Sequence, residues 1–153
     1  MDPIESKLQE LGLALPPAPN PVGSYVPFRT NGNTLYLAGV ISARDAAVTH
    51  AGPVGRDQTV ETGYLAAQVA ALNALALIKA ALGGLDRVQE FIIVNGFVNA
   101  VPGFDQSPQV INGASDLFVK LYGEAGRHAR AAVSVSGLPR NATVEIQVTV
   151  RTA

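Results

Sequence analysis

Two side chains in the C-terminal quarter, Arg130 and Glu145, have the types and spacing to do chemistry on a small molecule. An arginine fork matches a carboxylate bidentately and keeps its charge at any working pH. A glutamate in a semi-enclosed place can position or deprotonate a water. Together they point to hydrolysis of a small carboxylate-bearing substrate. Both fall in alternating stretches, 126–139 and 140–150, and the Gly137/Pro139/Asn141 loop between them predicts one hairpin. With both valine-rich faces turned to the core, Arg130, Ala132 and Ser134 share a helix-free face with Thr143, Glu145, Gln147 and Thr149. The simplest register sets Ser136 opposite Thr143. It leaves the two charges on the order of 13 Å apart at ~3.3 Å per residue. At that spacing they grip different ends of one ligand or serve a site completed by another subunit. A solvated or subunit-paired role for both stays open.

The elements that must position them follow in chain order. Ile4, Leu8 and Leu11 predict a short helix within 3–13, and the prolines between Pro16 and Pro27 then force an extended path. Tyr25 lies in that path, as a packed ring or a phenol offered to a pocket. Asn31-Gly32 predicts a type I′ hairpin turn between Tyr25–Phe28 and Thr34–Val40. The second strand ends in Ala38-Gly39, small residues that let another group approach the backbone. Residues 42–58 read as loop, with His50 solvated inside it. A helix over 59–82 is predicted with Thr59 as N-cap, Gly83-Gly84 as stop and a buried stripe of Leu65, Val69, Leu72, Leu75, Ile78 and Leu82.

Val88–Val98 carries a continuous apolar run, Phe91–Val94, that predicts a central strand, with Asn95-Gly96 marking a bulge or a close approach. Ser107-Pro108 opens a second helix, buried through Val110, Ile111, Ala114, Leu117, Phe118 and Leu121 and stopped by Gly123. The order strand, strand, helix, strand, helix, strand, strand gives one sheet with two helices on one face, an α+β domain. Neither a Gly-rich nucleotide fingerprint nor a P-loop is present.

The totals exclude whole classes of function. Of 153 residues, 48% are hydrophobic and 15% charged, which excludes general disorder. The net charge of −1 supplies no field toward nucleic acid or an anionic membrane. With no cysteine, thiol catalysis and thiolate metal sites are excluded, and His50 and His128 are too far apart in sequence to suggest a metal site. No run reaches the ~18 apolar residues of a membrane span, and no secretory leader is evident. A cytoplasmic protein is expected.

Gly23-Ser24-Tyr25, Ala38-Gly39, the helix near 59–82 and above all Ala129-Arg130, Leu138-Pro139 and Val144-Glu145-Ile146 resemble the Rid family of YjgF-like reactive-intermediate deaminases, also labelled endoribonuclease L-PSP. The likeness spans about residues 20–151. It implies a single Rid-like domain over 1–153 with 1–20 as an N-terminal extension. It also implies a chorismate-mutase-like fold of the bacillus type: a single mixed sheet, two helices on one face, and a homotrimer with sheets facing inward and clefts between subunits. Members that deaminate need no cofactor and no metal, and hydrolyse 2-imino or 2-enamino acids to 2-keto acids and ammonia.

By this resemblance Arg130 holds the substrate carboxylate, Glu145 the water, and Tyr25 lines the cleft. Ala38, Gly39, Ala132 and Asn112 complete the substrate-binding set. Many members carry a cysteine at the position of Ala132 and a serine at that of Ala38, which places this chain in a longer, divergent branch. His128 stands beside the arginine, with a surface or packing role expected. The leading expectation is therefore a 2-iminobutanoate/2-iminopropanoate deaminase-like hydrolase. A non-catalytic small-carboxylate binder of the same fold is the alternative, and an endoribonuclease a distant third.

Overall fold

The computed structural model describes residues 1–153. Helix α1 (Pro3–Glu10) starts where the Asp2 carboxylate accepts from the Ile4 amide at 2.8 Å, with proline in the first turn where no amide bond is lost. The other Asp2 oxygen accepts from the Leu85 and Asp86 amides at 2.7 and 3.1 Å, tying α1 to the turn that precedes the central strand. An extended arm leads to β1 (Phe28–Asn31), β2 (Thr34–Leu37) and β3 (Val40–Ile41), followed by a small two-stranded hairpin, β4 (Ala43–Arg44) and β5 (Ala47–Val48). Then come α2 (Val60–Leu82), β6 (Val88–Asn99), α3 (Ser107–Tyr122), β7 (Ala129–Val135) and β8 (Val144–Thr152). The main sheet runs β1-β2-β8-β6-β7, with β3 paired to β8 beyond the end of β2. Only β6 and β7 are parallel, so the sheet is mixed. The predicted α+β architecture, with helices on one face, is the one observed.

Helix α2 begins with a reciprocal cap in which Thr59 and Thr62 each satisfy the other's amide, and ends at Gly83 in the left-handed region. Its buried positions combine Leu72, Leu75 and Ile78 of the predicted stripe with the alanines Ala66, Ala67, Ala70, Ala71 and Ala74. Leu65 is half exposed. Small side chains bring the helix axes together: a Cβ at Gly113 of α3 would overlap the Tyr64 carbonyl of α2. By length and composition α2 could cross a bilayer, which counting apolar runs in the sequence does not register; most of it is buried inside the fold. The α3 stripe is buried as predicted, with Phe91 of β6 stacked on Phe118 at 4.4 Å between centroids.

Three expectations are corrected. The two C-terminal strands are not a hairpin: β6 lies between them, parallel to β7 and antiparallel to β8. A strand with a continuous apolar run takes partners on both edges, and here β7 and β8 are those partners. Consequently Glu145 is level with Phe97 and Val133 rather than with Ser134. The face of β7 is also inverted. Arg130 is level with Val94 and Val148, buried residues that point to the helices, so Arg130, Ala132 and Ser134 face α3 while Val133 is exposed on the open side. On this edge strand the polar side meets a polar flank: Ser107 of α3 bonds Ser134, which donates to the Phe104 carbonyl at 3.1 Å.

The third correction is the β1–β2 turn. It is Gly32-Asn33, with positive φ at Gly32 alone, the pattern of type II′ rather than I′, and β1 begins at Phe28. Of the two readings of Asn95-Gly96 the close approach holds: the α-carbon of Gly96 is pressed under Ile111 of α3, while the register irregularities of β6 fall at Val88/Glu90 and Phe91/Ile93.

Candidate functional site

The sequence-derived site residues fall into two groups on opposite faces of the sheet. The first sits where β7 meets α3. Arg130 Nη1 donates to Asn112 Oδ1 at 2.7 Å and to Ser115 Oγ at 3.2 Å. Ala132, two residues on, is half-buried against the core. Both hydrogens of Nη1 are thereby used, and Nε and Nη2 have no partner within the chain. A shallow pocket of about 230 Å³ opens here, lined by Ser115, Val119, Arg127, His128 and Arg130. His128 is half-buried, with Nε2 2.8 Å from Ser115 Oγ and Nδ1 2.8 Å from the Gly126 carbonyl. Ser115 carried no signal of its own in the sequence. Its spacing of three from Asn112 on one helix flank is the clue that finds it.

The second group is on the open face. Glu145 is half-buried with Ile41 and Phe97 as its lateral neighbours, and its carboxylate has no hydrogen-bond partner. Burial alone pushes its pKa up from the ordinary glutamate range. The carboxylate fits only because position 39 is glycine: a Cβ there would overlap Oε2. This is the close approach expected of Ala38-Gly39. The Ala38 amide donates to the Pro27 carbonyl at 2.9 Å, which extends the β1–β2 ladder and sets the arm carrying Tyr25 alongside. Tyr25 is 48% exposed, and its hydroxyl accepts from the Val22 amide at 3.3 Å.

Arg130 and Glu145 are separated by two strand spacings and three residues, on the order of 14 Å between α-carbons, with side chains on opposite sides. No ligand of one protomer touches both directly. The open face also exposes Tyr36 (46%), Ile93 (36%) and Val133 (46%). His50 is half-buried, bonded through Nδ1 to Thr49 Oγ1 at 2.9 Å, and burial lowers its pKa. Nowhere do three His, Asp or Glu side chains converge as a metal site would require. A separate cavity of about 670 Å³ between α1, the proline arm and α2 holds none of the predicted site residues.

A mixed sheet backed by two helices on one face, with a half-buried arginine on an edge strand and an isolated glutamate on the bare face, defines an α+β domain of the chorismate-mutase-like kind. Residues 5–150 match the family described as "YjgF/chorismate mutase-like, putative endoribonuclease", and the chain belongs to this YjgF/Rid family. It is 40% identical over 148 residues to protein TCP17 of Trypanosoma cruzi, covering 96% of this chain and 92% of that protein. It is 30% identical over 138 residues to a 2-iminobutanoate/2-iminopropanoate deaminase of Dermatophagoides farinae, covering 88% and 91%. The crystal structure of Atu1372 from Agrobacterium tumefaciens, a protein of unknown function, superposes with a TM-score of 0.93 at 46% identity over 98% of this chain and 92% of that one.

Proposed function

We propose that the protein hydrolyses small 2-imino or 2-enamino acids to 2-keto acids and ammonia, in clefts formed where the Arg130 edge of one subunit meets the open face of another in a homotrimer. The observation that carries this is the disposition of the two charges. One protomer offers an arginine with a free donor edge on one side and an unpartnered glutamate on the other, so each completes the other only across an interface. The exposed Tyr36, Ile93 and Val133 give that interface its apolar area.

In the assembled cleft Arg130 holds the substrate carboxylate. Glu145, its pKa raised by burial, takes a proton from water as the water oxygen bonds to the imine carbon. That proton passes to the nitrogen, the proton left on the new hydroxyl follows by the same route as the carbon–oxygen double bond forms, the carbon–nitrogen bond breaks, and 2-keto acid and ammonia leave. Asn112 holds the guanidinium, Gly39 makes room for the carboxylate, and Tyr25 offers its phenol from the arm. Ala38 and Ala132 line the cleft with methyl groups, so substrate selection falls on shape and on the carboxylate. No cofactor or metal enters this scheme, and a cytoplasmic setting belongs to the same proposal.

The test is the rate of 2-oxobutanoate formation from 2-iminobutanoate generated in situ. Arg130→Ala and Glu145→Gln are each expected to abolish the acceleration. Co-refolding the two dead variants is expected to restore about a quarter of the activity, because random mixing rebuilds one intact site in four. Failure of the mixture to recover, with both variants folded, overturns the inter-subunit site. No acceleration by the wild type with any imine leaves the alternative, a carboxylate binder; the methyl groups of Ala38 and Ala132 are what favour it. RNA cleavage is the least supported reading, since 11 Lys and Arg are set against 12 acids with no basic run.

A further inference from the structure

Arg130 is held by a hydrogen-bond chain whose direction is fixed. The Gly126 carbonyl can only accept, so the proton of the His128 ring is on Nδ1. In the neutral ring Nε2 is then a bare acceptor, and the Ser115 hydroxyl donates to it. The Ser115 oxygen in turn accepts from Arg130 Nη1, whose other hydrogen goes to Asn112. The chain runs Arg130, Ser115, His128, Gly126, with the hydrogens of Nη1, the Ser115 hydroxyl and His128 Nδ1 all used.

We propose that Ser115 and His128 are positioning residues that leave Arg130 one ligand edge, Nε with Nη2, and that couple carboxylate binding on this edge to uptake of a proton by His128. The proposal deepens the reading of Arg130 as a carboxylate anchor and rests on it. An end-on grip needs a hydrogen from each Nη, and Nη1 has none to give. A side-on grip through Nε and Nη2 is open. The ligand is a compact monocarboxylate, sized to a pocket of about 230 Å³.

Protonation of His128 changes what the pocket presents. Nε2 becomes a donor, the Ser115 oxygen accepts from both Nε2 and Arg130, and the serine's own hydrogen turns outward. An added O–H donor and an added positive charge then face the ligand. The charged groups around the ring are Arg130 of β7, Arg127 immediately before the histidine, and Glu124, which lies 4.0 Å from Arg127. Helix α3 faces the ring with uncharged Ser115, Val119 and Phe118, the last edge-on at 6.0 Å. Without ligand, burial holds the His128 pKa below its ordinary range; the Gly126 bond opposes this and the Arg130 charge adds to it. A bound carboxylate neutralises Arg130 and attracts the imidazolium. Linkage then makes the affinity rise as pH falls, by up to about tenfold per pH unit between the free and bound His128 pKa values.

The test is calorimetric titration of the full chain with 2-oxobutanoate from pH 5.5 to 8, in buffers of different ionisation enthalpy. The wild type is expected to bind more tightly toward acid and to take up close to one proton. His128→Gln, which keeps a polar partner for Ser115 but cannot charge, is expected to lose the slope, while His50→Gln keeps it. Should His128→Gln fold poorly, the His128 ring resonances of the wild type carry the same information: saturation with 2-oxobutanoate should raise that pKa. Binding with no slope, or a slope surviving in His128→Gln and so belonging to Glu145, overturns the coupling alone. No binding of 2-oxobutanoate at any pH overturns the coupling and the anchor role of Arg130 together.

Discussion

Replacing Gly39 by alanine should separate catalysis from stability and from binding. The new Cβ would overlap Glu145 Oε2 and stand 3.2 Å from Cδ and 3.5 Å from Cγ. The obstructing atoms are the end of a flexible side chain, so the carboxylate swings aside, at ~0.5–1.5 kcal/mol for a displaced rotamer. Gly39 has no positive φ, so alanine is unstrained and stiffens the unfolded chain by ~0.4–1 kcal/mol in compensation. Net stability should change by less than about 1 kcal/mol, or about 4 °C in Tm. A displacement of the base by about 1 Å costs on the order of 100-fold in turnover. In the proposed cleft Arg130 comes from the neighbouring subunit and holds the carboxylate by itself, so 2-oxobutanoate affinity should move less than about threefold. The assay pairs imine-hydrolysis kinetics with calorimetric binding and thermal unfolding on one preparation. Wild-type turnover in a folded Gly39→Ala variant refutes the placement of Glu145 as the base, and so does an equal loss of binding and turnover.

Three further outcomes follow from the same contacts. Glu145→Gln should raise Tm at neutral pH while losing turnover. The folded-state pKa of Glu145 is raised, so its contribution to stability is present below the unfolded pKa and lost as pH rises through the folded one; the gain in Tm should vanish near pH 4, as differential scanning calorimetry can check. Gly113→Ala drives a methyl into the Tyr64 carbonyl, a backbone atom that cannot yield, and should cost about 3 kcal/mol, read as a fall in Tm on the order of 10 °C. Asn73→Ala removes the buried amide that donates to the Ile41 and Ala43 carbonyls at 3.0 and 2.7 Å, and should cost about 1–3 kcal/mol by urea denaturation.

Much of the architecture can be read from the chain because local rules and tertiary packing agree there. Thr59 and Gly83 bound α2, Ser107-Pro108 opens α3, and the apolar run of β6 marks a strand with neighbours on both sides. Gly39 was legible as a close approach, though not that Glu145 is what approaches. The misreading concerned β7. Assigning its valines to the helices assumes that a strand's apolar side is its core side, which holds where helices cover the strand fully. At the sheet edge only the rim of α3 reaches β7, and that rim carries Ser107, Asn112 and Ser115. Polar thus meets polar on the helix side, and valine is left for the open face. The hairpin reading failed with it: nearness in sequence favours pairing, but both edges of β6 were still to be filled. The relay through Ser115 and His128 depends on a side-chain meeting across three elements, which no spacing within one element reports.

The position of β8 has a consequence for biosynthesis. It is the last strand of the fold in sequence, yet it lies between β6 on one side and β2 and β3 on the other. Until residue 152 has cleared the ribosome, the β1–β2 hairpin and the β6–β7 pair have nothing to join them. The apolar α2 has no complete sheet to cover it during that interval. Closure of the sheet therefore waits for β8, and a nascent chain stalled with β8 still inside the ribosome should be a chaperone client rather than a partly finished domain.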